Sequence, residues 1–341
     1  MRQFLFDKVE ESGMSLLLNA FVTGVEKEGD AIRHLEAHAK EGLLRLEADV
    51  YIDATGDGDV AAAACEEFSL GRESDGKFQP MTLIFSLEGV DTENCEALYD
   101  RDKRREYAPK LMEYVERGEV PSPAGHLILI QGYRRGSVKI NMTNVIDLDG
   151  TKSEDLTEAE VVCRKQLAGI VKFLRNEVPG FENCYVASSA DMMGVRSTRH
   201  FKGRHVINEK EISEGTVFDD WVVSTAKYIW GTHNLFGAIH GDGFAKSKES
   251  PYGPLPCDNV YTIPFRSLRP SATDNLLLAG RCISGTFLAH SNYRVMPICM
   301  AMGQGAGTAA AMASEQKCKL DDLDIKTLQD KLMEQGVDKP K

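Results

Sequence analysis

The chain has 341 residues, 42% of them hydrophobic and 27% charged, which is usual for a globular protein with one large domain or two. Its net charge of -12 argues against nucleic acid or an anionic membrane as a partner, so an anionic substrate would need a local basic pocket. The eight cysteines form no CxxC pair, so the sequence has no zinc, iron–sulfur or dithiol spacing. Because no signal peptide and no apolar run of about 18 residues is present, we expect a cytoplasmic protein.

The N-terminal part predicts a short helix and a small antiparallel sheet. Residues 2–12 have the pattern of an amphipathic helix, residues 14–25 that of a strand, and residues 32–37 and 43–48 alternate as two further strands.

A buried strand predicted at residues 49–53 then ends at the sequence ATGDGD, residues 54–59. Two glycines directly after a buried strand let the backbone approach a cofactor closely, and a helix is expected to follow from Asp59. The three aspartates of this stretch also allow a Ca²⁺ loop, but the EF-hand spacing and its terminal glutamate are missing.

The middle of the chain predicts a hairpin of residues 127–130 and 138–142, and a long helix at 156–177 that begins with a Thr157–Glu160 capping box. Two arginines three residues apart, Arg196 and Arg199, can place two guanidinium groups on a carboxylate or a phosphate. The alternative is an exposed turn whose arginines form surface ion pairs.

An aromatic and histidine-rich patch occupies residues 218–243 and contains His233 and His240. Either histidine can serve in acid–base chemistry, and either can instead be a packing residue, which is the commoner role of a lone histidine.

The C-terminal part combines a buried strand with a helix of small residues. The apolar run 276–278 ends at Gly280, a polar loop follows over residues 281–294, and a helix with Pro297 in its first turn reaches about Ser314. An open helix N-terminus after such a turn can bind an anion or polarise a ring. The alternative is a plain strand–helix unit packed through Gly303, Gly305 and Gly307. A charged amphipathic helix is predicted from residue 318 to residue 341, at the end of the sequence.

Several of these segments together resemble a family of FAD-dependent oxidoreductases with the doubly wound FAD fold of the glutathione reductase type. The similar segments are LLLAGRCISGT (276–286), YRVMPICMAMGQGAG (293–307), DATGDGDVA (53–61), residues 69–89, GVRSTR (194–199) and YTIPFR (261–266). The resemblance implies an α/β fold in which an incomplete doubly wound, Rossmann-type FAD-binding domain (1–78 and 263–341) carries an inserted α+β substrate domain (79–262).

The same resemblance implies roles for individual residues. FAD would lie along the turn formed by Ala54, Thr55, Gly56 and Asp57, with the backbone near Val22 at its adenine, and Gly280, Arg281, Ser284, Arg294, Val295 and Met296 would line the flavin. On the substrate side, Arg196, Arg199 and Arg294 are candidates for holding an anionic or carbonyl-bearing small molecule, and His233 for proton transfer. Relatives often carry a histidine where this chain has Phe287, so no proton relay is expected there.

The glycine-rich turn GxGxxG of an ADP-binding βαβ unit is missing from the sequence. The single GxGxG, Gly303–Gly307, falls inside a predicted helix. The sequence therefore predicts weakly held FAD, an unpaired strand edge and an uncovered apolar face.

Two functions follow. The chain is either an oxidoreductase that transfers a hydride through flavin N5, or a truncated or non-catalytic subunit. The second needs a partner chain or upstream segment carrying GxGxxG. A hydrolase is disfavoured because no GxSxG elbow is present.

Overall fold

The computed structural model describes residues 2–125, 127–237 and 257–340, and the fold is mixed α/β. Within these residues the α-helices are α1 Arg2–Ser12, α2 Asp59–Ala63, α3 Glu96–Tyr99, α4 Arg101–Glu106, α5 Ala108–Glu116, α6 Ser153–Glu177, α7 Glu209–Glu214, α8 Phe287–Tyr293, α9 Met296–Gln316 and α10 Ile325–Glu334. The strands are β1 Phe21–Glu28, β2 Ala31–Ala39, β3 Gly42–Leu46, β4 Tyr51–Asp53, β5 Phe68–Leu70, β6 Phe85–Glu88, β7 Leu129–Gln131, β8 Val138–Ile140, β9 Tyr185–Ser189, β10 Arg199–Phe201, β11 Trp221–Ala226, β12 Tyr261–Pro264 and β13 Leu276–Leu278.

The parallel pair β4–β13 joins two distant parts of the sequence. Leu276 is opposite Tyr51 and Leu278 opposite Asp53, and the Ala279 N–H donates to the Asp53 carbonyl at 2.9 Å. All three residues of β13 are fully buried, as the apolar run predicts. Because parallel strands end at the same edge of a sheet, the turns after β4 and β13 lie side by side.

The antiparallel sheet β1–β2–β3 confirms the predicted meander but starts later than expected. The prediction of a strand from residue 14 was wrong for residues 14–20, which have no regular structure. Asn19 has a left-handed φ of 56°, which interrupts an extended backbone, and Leu16, Leu17 and Leu18 are exposed.

A second core lies under the four-stranded sheet β7–β8–β6–β9, against which α6 packs. The predicted hairpin is present as β7 and β8. The predicted capping box was wrong: α6 begins one turn earlier, at Ser153, so the Thr157 hydroxyl donates to the Ser153 carbonyl inside the helix, and Glu160 pairs with Arg164.

The stretch between β13 and α9 is more ordered than the predicted loop. A 3₁₀ turn at Gly280–Cys282 leads into α8, whose N-cap Thr286 accepts the Ala289 N–H at 3.2 Å. Helix α9 starts at Met296 with Pro297 in its first turn, and α10 covers only part of the predicted closing helix.

The three glycines of α9 have different surroundings. A Cβ on Gly305 would lie 2.9 Å from the Cβ of Val222 on β11, whereas a Cβ on Gly303 or Gly307 would have no atom of the described residues within 4 Å. Packing through these glycines is therefore confirmed for Gly305 alone.

No helix in the described ranges is both long enough and apolar enough to cross a membrane.

Candidate functional site

The turns after β4 and β13 touch each other. The Arg281 guanidinium lies against Gly56, where an added Cβ would come within 2.5 Å of Nη2. Gly56 also has a φ of 86°, so glycine is required here both for the backbone and for the close approach. Arg281 Nη1 donates to Asp57 Oδ1 at 2.9 Å, which closes an ion pair between the two turns.

Asp53, which the sequence interpretation did not single out, builds the first turn. Its Oδ1 accepts the N–H of Thr55 at 3.0 Å and the Thr55 hydroxyl at 2.7 Å, and its Oδ2 accepts the Ala61 N–H at 2.9 Å. Asp53 is fully buried, so its carboxylate fixes the turn and the start of α2 from below. An aspartate closing an apolar strand is the signal that could have identified it.

A groove of about 610 Å³ opens beside these turns. Thr55, Asp57 and Arg281 form one wall, and Gly194 and Val195 belong to the facing wall. The remaining lining residues are Gly150, Leu156, Thr157, Glu160, Val161, Met192 and Met193. The GVRSTR segment thus borders the same groove as the paired turns, although 137 residues separate Gly194 from Asp57 and 86 separate Val195 from Arg281 in sequence.

A second cavity of about 410 Å³ shares Gly194 and Val195 with the groove. It contains three of the candidate catalytic residues, Arg196, His233 and Arg294. Val295, the N-cap residue of α9, also lines this cavity, and no side chain caps the helix there. The open, partly positive helix end therefore adjoins the cavity.

Arg199 does not line this second cavity. Its Nη1 donates to the Asp57 carbonyl and to Asp59 Oδ1, both at 2.8 Å, and its guanidinium stacks over Phe68. The structure therefore separates the two arginines that the sequence could have placed on one ligand. Arg199 instead fastens the ATGDGD turn to β10.

The other predicted cofactor residues are dispersed around the groove. Ala54 is exposed beside Thr55, Gly280 has a left-handed φ of 89°, and Met296 is 71% exposed at the start of α9. Val22 is half-buried on β1 opposite Ala37 and does not line either cavity.

Three other residues named from the sequence have different positions. Ser284 is buried and its hydroxyl accepts the Gly203 N–H at 2.9 Å, away from both cavities. Phe287 is buried with its ring edge against His200. His240 lies outside the described residues.

Three arginines, Arg196, Arg281 and Arg294, concentrate positive charge around the C-terminal end of α8. Burial, and then the neighbouring Arg294, lower the pKa of Arg196 to about 9, and burial followed by Arg281 lowers the pKa of Arg294 to about 10. Burial, followed by His200, Arg294 and Arg281, lowers the pKa of His290 well below 6.5, so this histidine is neutral at pH 7. The sequence interpretation gave His290 no role.

Across the described residues, no three histidine, cysteine or acidic side chains are grouped so as to hold a metal ion.

Solved flavoenzymes share only a distant similarity with this chain. A geranylgeranyl bacteriochlorophyll reductase-like protein from Thermoplasma acidophilum is 10% identical with a TM-score of 0.42, covering 98% of this chain and 58% of its own. p-Nitrophenol 4-monooxygenase PnpA from Pseudomonas putida DLL-E4 is 11% identical with a TM-score of 0.33, and the match covers 87% of this chain and 47% of that protein. The flavin-dependent halogenase CmlS is 11% identical with a TM-score of 0.39, and the match covers 92% of this chain and 39% of that protein. The chain thus spans roughly half the length of these proteins, and such TM-scores give no information on its substrate.

A search of curated proteins found no match. A sequence model of the family described as FAD dependent oxidoreductase matches residues 1–332. Because that match covers nearly the whole sequence, the chain belongs to the FAD-dependent oxidoreductase family.

Proposed function

We propose that this chain is the flavin- and substrate-binding portion of an FAD-dependent oxidoreductase, which transfers a hydride through flavin N5 to or from a small molecule. The contact between Gly56 and Arg281 carries the proposal, because it brings the two turns of the family's motifs to one groove. Bound FAD would supply a hydride acceptor or donor at its ring.

The residues of the groove fit an elongated anionic cofactor. Gly56 lets the Arg281 guanidinium lie against the backbone of the first turn, and a Cβ added at Gly280 would lie 4.0 Å from Cys299 Sγ. The Arg281 guanidinium, which is paired with Asp57, is the cationic group on this wall. Thr55 and Asp57 contribute polar groups to the same wall. We assign FAD binding to these residues, with Ala54 beside them.

Helix α9 is assigned to the flavin ring. Val295 and Met296 begin the helix, and its first N–H groups have no side-chain cap. Such N–H groups stabilise negative charge that develops on a reduced ring.

The cavity with Arg196, His233 and Arg294 is assigned to the substrate, because it meets the groove at Gly194 and Val195. The arginines bind and orient the substrate, and His233 exchanges a proton with it. Arg199 acts as a positioning residue, since it holds Asp57 and Asp59 and lines neither cavity.

A second candidate is a subunit that works only with a partner chain or segment carrying the GxGxxG unit. The observation that favours it is the open side of the β4–β13 pair. Among the described strands β4 pairs only with β13, Ile52 on β4 is 39% exposed, and Met296 and Met300 of α9 are exposed. In either case we infer that the chain alone holds FAD weakly, because no glycine turn for the pyrophosphate is present in the 341 residues.

The test is a titration of the purified chain with FAD, followed by flavin fluorescence. We expect saturable binding that Arg281→Met weakens at least about tenfold, as for loss of a charged hydrogen-bond donor. Arg135→Met is the control, because Arg135 is exposed, pairs with Glu93 and lines neither the groove nor the second cavity. Equal affinity of both variants would remove the groove as the flavin site.

The same preparation separates the two candidates. Stoichiometric flavin retained through purification would contradict weak binding by the chain alone. Retention that appears only when the chain is co-expressed with the coding segment upstream of it would favour the two-part protein.

A further inference from the structure

The cavity assigned to the substrate carries a net positive charge. Arg196 and Arg294 both line it, and none of the described residues around it is acidic. Arg196 is only 6% exposed, and neither arginine forms an ion pair with a carboxylate in the described chain. One buried and one half-buried guanidinium group thus share a cavity with no carboxylate in its described lining.

The hydrogen bonds of these arginines go to neutral oxygens. Arg294 Nη2 donates to the Gly231 carbonyl at 2.8 Å and to Gln79 Oε1 at 3.4 Å, while its Nε has no partner in the described residues. Arg196 donates to the Pro80 carbonyl and, at 3.5 Å, to Asn141 Oδ1. Neutral acceptors fix the guanidinium groups in place but leave their charge uncompensated.

Uncompensated buried charge favours the binding of an anion. Removing a guanidinium from water is unfavourable unless an opposite charge and hydrogen bonds replace the solvent. The lowered pKa values of Arg196 and Arg294 have the same two causes, burial and a neighbouring positive charge. A bound carboxylate would accept hydrogen bonds from the planar guanidinium forks and neutralise part of this charge.

The rest of the wall is largely apolar. Ile84, Ile128 and Ile130 line the cavity, and Ile84 and Ile130 are partly exposed. A volume of about 410 Å³ is at the small end of ligand pockets. The charged and apolar walls therefore match a ligand with one anionic end and an apolar body.

We propose that the substrate is a small carboxylate with an apolar body, whose carboxylate is held by Arg196 and Arg294 and whose body lies against the three isoleucines. This inference rests on the proposed function, and it replaces the broader class of anionic or carbonyl-bearing molecules. Arg199 has no part in it.

Calorimetric titration of the 341-residue chain with benzoate and hexanoate, and with their neutral amides, tests the proposal. We expect the carboxylates to bind at least about tenfold more tightly than the amides, and Arg294→Met to reduce carboxylate affinity about ten- to hundredfold. Arg294→Lys keeps the charge but loses the fork, so its loss should be smaller. The control Arg135→Met should bind as the wild type does. Thermal unfolding establishes that each variant is folded.

Equal binding of benzoate and benzamide, no binding of either carboxylate, or an unchanged affinity in both Arg294 variants would overturn the proposal. Tighter binding of inorganic phosphate than of both carboxylates would overturn the carboxylate class. Flavin absorbance of the same sample keeps the two hypotheses apart. If FAD binds and both carboxylates fail, only the substrate inference is wrong; if the carboxylates bind and FAD does not, only the flavin function is wrong.

Discussion

Two regions of the chain differ in how completely their apolar surfaces are covered. Around the four-stranded sheet, α6 buries Phe173 and Leu174 fully against strands that pair with one another. Around β4 and β13, the sheet has two strands, and Ile52 and Met300 remain exposed on β4 and α9. Under the proposed function, the exposed residues of the second region are the surface that a further segment of the protein covers.

The largest difference between the regions should appear on truncation of apolar side chains. Phe173→Ala removes a fully buried ring, and we expect a loss of about 3–5 kcal/mol in the free energy of unfolding. Met300→Ala removes a side chain that is 51% exposed, with an expected change within about 0.5 kcal/mol. Urea unfolding of both variants measures this, and similar losses would mean that Met300 is covered in solution.

Acid should destabilise the junction where β10 meets α8. Burial lowers the pKa of His200 from 6.5 to about 4, and its ring lies 4.9 Å from that of His290. Between pH 6.5 and pH 4 the unfolded chain binds more protons at this histidine than the folded chain does. The contribution of neutral His200 to the free energy of unfolding is therefore fully present above pH 6.5 and is lost as the pH falls toward 4, a loss of about 3 kcal/mol.

His200→Phe keeps an aromatic ring and removes this titration. Unfolding measured between pH 7 and pH 4 should therefore depend less steeply on pH in the variant, with the lowered pKa of His290 accounting for part of the remaining slope. Identical slopes in the wild type and variant would contradict a buried neutral His200.

Two glycines of α9 distinguish its packed face from its open face. Gly305→Ala would push a Cβ against Val222. We expect this overpacking to lower the free energy of unfolding by about 1–3 kcal/mol. The added Cβ of Gly303→Ala would have no neighbour within 4 Å in the described part of the chain, and the substitution should stabilise the helix by about 0.5–1 kcal/mol. Thermal unfolding compares them directly. A destabilising Gly303→Ala would show that another surface already packs on this face.

Two glycines with a left-handed backbone separate the effect of the Arg281 contact from the effect of backbone strain. Gly56→Ala and Gly76→Ala both place a side chain at positive φ, but only the Cβ at position 56 would collide with Arg281. We expect Gly56→Ala to weaken FAD binding about tenfold, or by ~1.4 kcal/mol, while Gly76→Ala leaves it unchanged. Fluorescence titration measures the FAD affinity of both variants. An equal loss of affinity in the two variants would mean that backbone strain, and not the collision with Arg281, causes it.

Local patterns in the sequence were sufficient for the elements that hold the groove. An apolar run closed by glycine predicted β13, the strand before ATGDGD predicted β4, and Pro297 marked the first turn of α9. Each of these signals depends on residues that are neighbours in the chain, so a single sequence is enough to detect it. The strand predicted from residue 14 failed because periodicity does not show whether a segment has a partner to pair with.

Contacts between distant residues could not be predicted in the same way. Arg281 and Asp57 are 224 residues apart, and Arg199 and Asp59 are 140 apart. The motif spacing of Arg196 and Arg199 is the same whether they share a ligand or not. Only the fold shows that Arg196 lines the same cavity as Arg294, whereas Arg199 is hydrogen-bonded to the turn after β4.

Hydrogen exchange of the 341-residue chain with and without FAD tests most directly that the two turns form one nucleotide groove. We expect FAD to slow exchange in residues 54–59 and in residues 280–296 together. Slowed exchange in only one of these segments, or only elsewhere in the chain, would contradict it.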